Sequence, residues 1–69
     1  MNVYLTQAEE HQLEAMLDKL GVCGLLRAIA GICYAKSEHV SANWQDYSLA
    51  KSWEADASRL LKLSEKVAN

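Results

Sequence analysis

Sixty-nine residues carrying a net charge of −2 allow one small domain and offer nucleic acid no basic stripe to hold. Half of the residues (51%) are hydrophobic, too many for a disordered chain, and the absence of proline with only three glycines argues against long loops. Alanine and leucine dominate and glutamate and lysine are frequent, which favours helix throughout.

The first predicted helix has the clearest start. Thr6 followed by Glu9 reads as a capping box, in which each residue satisfies a backbone donor of the other. Leu13, Met16, Leu17 and Leu20 then recur at helical spacing and make one apolar face, and Gly21 reads as the residue that stops the helix. Glu10, Glu14 and Asp18 line a second face at four-residue intervals. Residues 1–20 carry these three acids and Glu9 against Lys19 alone, a net −3. This strip is either a solvated face or an acidic edge that meets a basic patch on another protein.

The least polar stretch, Leu20 to Ala35, spans the end of the first predicted helix and most of the second, and Arg27 is its one charge. Val22, Leu26, Ile29, Cys33 and Val40 form a stripe, widened by Leu25 and Ile32 and interrupted by Lys36. A row of small residues, Gly24, Ala28, Gly31 and Ala35, lies on the far side, and small side chains let another helix come close. The stretch is shorter than the roughly 20 apolar residues of a membrane span. Lys36 is expected to bury its stem and to pair with Glu9 or Glu54, or to sit over Trp53.

Residues 41–46 form the expected corner, with Asn43 or Asp46 as the cap of a third helix. Trp44 in this corner either packs over the bundle end beside Tyr4 and Leu5 or stands out as an anchor for a partner. In the third helix Leu49, Trp53, Ala57, Leu60, Leu61 and Val67 are the expected buried face.

Chemistry-bearing clusters are sparse. Cys23 and Cys33 are ten residues apart on one predicted helix. That is about 15 Å of rise, too far for a disulfide, so both read as reduced thiols. His11, His39 and the cysteines show no metal-ligand spacing. The start MNVYLTQAEE lacks the basic and apolar regions of a signal peptide, and with reduced thiols it points to a cytoplasmic protein.

These features predict an all-α single domain over residues 1–69, an antiparallel up-down-up three-helix bundle with helices near 7–20, 22–42 and 46–67. The expected activity is protein–protein association without catalysis, metal, cofactor, nucleic acid or membrane: a self-dimer or docking on a larger assembly. Candidate partner-binding residues are Gly24, Ala28, Gly31, Ala35, Glu10, Glu14, Asp18 and Trp44. One alternative is a small inhibitor or modulator of a host enzyme or complex, of the kind mobile elements encode. Another is a minor thiol-dependent enzyme or redox protein using Cys23 or Cys33.

Overall fold

The structure, a computed structural model, describes residues 4–69, so the first three residues of the expected 1–69 domain lie outside the described residues. It contains two helices, α1 (Gln7–Asn43) and α2 (Tyr47–Ser64), and no strand among the described residues. The expected three-helix bundle is therefore corrected: α1 runs through both of the first two predicted helices.

The reason lies at Gly21. Its backbone adopts φ 74°, ψ 171°, which is non-helical, and the helix resumes at the next residue. A helical hairpin needs a connection of about 2–5 residues to bring two axes side by side. One residue turns the chain through a corner and no further. A straight helix of 37 residues would be about 55 Å long, whereas the longest extent of the molecule is 36 Å. The segment before Gly21, here called the arm, thus leaves the rest of α1 at an angle and does not fold along it.

Thr6 starts the arm as expected. Its side-chain oxygen accepts from the Glu9 amide at 3.1 Å, and its own amide donates to the Glu9 carboxylate at 2.9 Å. The bond from the Thr6 backbone, followed by the one to its side chain, holds the Glu9 carboxyl below the ordinary glutamate range. The cap therefore stabilises the arm fully above the ordinary glutamate value, fades as the pH falls through it, and is lost below the lowered folded value. Acid titration monitored by amide chemical shifts should show Thr6–Glu10 fraying first. In Glu9→Gln, which keeps an acceptor oxygen, that acid-dependent step should vanish; its persistence would assign the fraying to another group.

The remainder of α1 pairs with α2 after a turn of Trp44, Gln45 and Asp46. Gln45 takes φ 53°, and Asp46 is the cap that the helix uses, its carboxylate accepting from the Leu49 amide at 3.0 Å. The seam is made of small residues. Ala30, Cys33, Ser37 and Val40 of α1 and Ala50, Ala57 and Ser64 of α2 are buried. Ala30 and Ala57 are fully enclosed, with Trp53 and Leu60 packed against them. The α1 positions repeat at 3, 4, 3 and the α2 positions at 7, 7, the spacing of a left-handed helix pair. Alanine and serine at these places bring the backbones close but remove little apolar surface from water. No large side chain is fully buried among the described residues.

α2 also ends earlier than expected, at Ser64 instead of 67. The Glu65 and Lys66 amides donate to the Lys62 and Leu63 carbonyls, an i to i−3 pattern that tightens the last turn and stops the helix. The Ser64 hydroxyl donates to the Leu61 carbonyl at 2.6 Å and accepts from Arg27 Nε at 3.3 Å, which ties α2 to the apolar part of α1. Residues 65–69 then return to the corner. The Asn69 carbonyl accepts from the Cys23 amide at 2.6 Å, satisfying a donor that the break at Gly21 had exposed.

Candidate interaction surface

Every residue of the arm from Thr6 to Leu20 is exposed. Leu13, Met16, Leu17 and Leu20 retain 37–50% of their accessible surface, although they form a continuous apolar face. Leu13 and Leu17 share a shallow depression with Leu25 of the body, and among the described residues no other residue outside the arm lines it. A peptide helix of this length is marginal in water, because helices shorter than about 12–15 residues do not repay nucleation. Glu10, Glu14 and Asp18 flank this face, and none of them takes part in an ion pair; the one ion pair among the described residues is the exposed Arg59–Asp56 contact at 3.0 Å.

A second apolar surface lies along one flank of the α1–α2 pair. Leu25, Ile29, Ile32 and Lys36 recur at 4, 3, 4 on α1 and so share one face. The Lys36 ammonium lies 5.4 Å from the centre of the Trp53 ring, which fixes the α2 face on the same side. Leu49, Trp53, Leu60 and Leu63 continue it along α2. Ile32 is 57% and Leu63 47% exposed. Near the turn this flank becomes a groove lined by Lys36, His39, Val40, Trp44, Leu49 and Trp53. The opposite flank mixes the charged and hydroxyl side chains Glu38, Ser41, Lys51, Glu54 and Ser58 with the exposed rings of Tyr34 and Tyr47.

Of the pairings expected for Lys36, the structure forms the one with Trp53; neither Glu9 nor Glu54 reaches it as an ion pair. Lys36 is exposed, so the contact contributes about 0.5–1 kcal/mol, less than a buried ion pair would. Trp44 is 68% exposed and Tyr4 91%, so these two do not cover one another. The Trp44 ring stands edge-on to His39 at 6.4 Å between centroids, and Asn43 Nδ2 donates to the His39 carbonyl at 3.0 Å.

The row Gly24, Ala28, Gly31 and Ala35 lies on the side of α1 turned away from α2. A Cβ added at Gly31 would touch nothing within 4 Å, whereas one at Gly24 would come to 3.1 Å from the Leu20 Cβ. The thiols are unpaired, Cys33 buried in the seam and Cys23 half-buried at the corner. Arg27, one turn from Cys23, is engaged with Ser64. No three His, Cys, Asp or Glu side chains among the described residues converge as a metal site would require, and no described helix is long and apolar enough to cross a membrane.

The arm face and the flank groove are the features that the helix-by-helix reading of the sequence missed as surfaces. A three-helix bundle would have packed the arm leucines against the body and buried Leu49 and Trp53, whereas Trp44, which lines the groove, is a candidate partner-binding residue from the sequence. No protein-family model matches the chain, and comparison with curated proteins and with solved structures finds no significant match.

Proposed function

We propose that this protein is a small non-enzymatic association module whose arm docks its apolar face on another polypeptide. The observation that carries the reading is the arm itself: a capped helix whose four large apolar side chains stay 37–50% exposed, with Leu25 of the body beside two of them. Its acidic edge would select a neutral or basic docking surface. Two unpaired cysteines suit a reducing compartment, and the cytoplasm is the proposed location.

A photo-crosslinking residue at Met16 tests this in the native lysate, with the same residue at Lys62 as a control. The expected result is a discrete polypeptide adduct from position 16, containing a second copy or another protein, that disappears in Leu13→Glu/Leu17→Glu. The arm leucines are exposed, so this double change should leave the fold within about 0.5 kcal/mol of its original stability per substitution. An adduct pattern identical at positions 16 and 62 would contradict the reading.

A further inference from the structure

We infer that the arm's partner is a second copy of this chain, whose flank groove receives the arm while its own arm is received in return. The inference rests on the association reading above and names its occupant. Three observations support a second copy. The first is area. The chain exposes 5499 Å², whereas a compact monomer of 7.7 kDa exposes roughly 4,300 Å². The excess is comparable with the roughly 800 Å² that each partner buries in a standard interface.

The second is fit within one sequence. The arm supplies a helix of about 21 Å with its apolar face exposed, and beyond Leu25, which the chain's own arm approaches, Ile29 to Lys36 supplies about 10 Å of apolar flank beside α2 with no arm residue on it. An arm laid there completes three helices around one core, and the single-residue corner at Gly21 keeps a chain from doing this to itself. Reciprocal exchange about a twofold axis closes the assembly at two copies.

The third is charge, which also selects the mode of pairing. A twofold pairing of antiparallel arms would set each flank against its own copy and bring both Glu10–Glu14–Asp18 strips together. The rest of the chain, residues 21–69, carries a net +1 against the arm's −3. An arm on the body of the other copy therefore meets a weakly basic surface, with Lys36 in the groove.

The test is sedimentation of the full chain at tens of micromolar, combined with an isotope-filtered NMR experiment on a mixture of labelled and unlabelled copies and with amide exchange in the arm. The expected results are a dimer and intermolecular NOEs between the Leu13 or Leu17 methyls and Ile32 or Leu63. Leu13→Glu/Leu17→Glu, on the arm, and Ile32→Glu, on the groove, should each weaken dimerisation about a hundredfold or more. Circular dichroism of each variant should show α1 and α2 retained. A dimer indifferent to both variants would overturn arm exchange and leave association by another surface standing. A monomer with unprotected arm amides would overturn the second copy, with the arm still free for a different protein. A monomer whose arm is protected on its own groove would overturn both readings.

Discussion

Ala30→Leu is expected to lower stability by about 3 kcal/mol or more, whereas Gly31→Leu, at the next position, is expected to leave the isolated chain as stable or up to about 1 kcal/mol more stable. Ala30 is fully enclosed in the seam with Cys33 and Ala57. A leucine there has no space without moving α2, and α2 is the partner on which the buried part of α1 depends. Overpacking typically costs about 1–3 kcal/mol in a large core that can adjust around it. A two-helix seam has no further layer to adjust. A chain this small has a total stability of about 3–10 kcal/mol, so the loss is a large fraction of the whole. Gly31 points to open space, and replacing a helical glycine removes a backbone penalty of about 0.8–1 kcal/mol. Urea denaturation of the two variants decides the matter. Equal effects would mean that the α1–α2 seam is not where the structure puts it. Gly31→Leu also separates the two candidate surfaces: loss of association without loss of stability would move the interface to the small-residue row.

Gly21→Ala is the second large effect. The region near φ 74°, ψ 171° is essentially restricted to glycine, and holding another residue there costs about 1–3 kcal/mol. The added Cβ would also lie 2.6 Å from the Asn69 carbonyl oxygen, a backbone atom. Moving Asn69 away releases the Cys23 amide from its bond, which adds roughly 0.5–1.5 kcal/mol. The expected result is a lower denaturation midpoint and loss of protection at Cys23. The opposite result, a more stable and more helical variant, would show that the native helix runs straight through residue 21 and that the corner is absent.

These two positions also show how far the sequence could be read. The capping box at Thr6 and Glu9 and the cap at Asp46 are local chemistry, and local chemistry is legible in a few residues. The positive φ at Gly21 was legible for the same reason. Whether a stop becomes a hairpin depends on the length of the connection, and the adjacency of Leu20, Gly21 and Val22 already argued for a corner. The seam was legible only in part: Cys33, Val40 and Ala57 were expected on the apolar faces and are buried, but a search for large apolar residues at helical spacing also selects Val22, Leu26 and Ile29 and passes over the small ones. The buried positions Ala30, Ser37, Ala50, Ala57 and Ser64 are small, and their seven-residue spacing was the signal. Placing Ile29 and Leu49 in the core followed from the same preference; both remain more than a third exposed, at 37% and 38%. The candidate surfaces fared differently. The acidic residues Glu10, Glu14 and Asp18 do share the arm's face edge, yet its functional sense depends on the apolar face beside them, which the bundle reading had placed out of view.

We propose that the arm, largely uncovered by the described residues, gains its support from another polypeptide. Hydrogen exchange read by mass spectrometry, at concentrations from nanomolar to tens of micromolar, tests this most directly. The predicted result is that amides of residues 10–20 exchange near the rate of an unstructured chain in the dilute sample and become protected as concentration rises or a binding protein is supplied, while residues 26–40 and 50–61 stay protected throughout. Arm amides as slow as those of the α1–α2 seam at the lowest concentration would contradict the account.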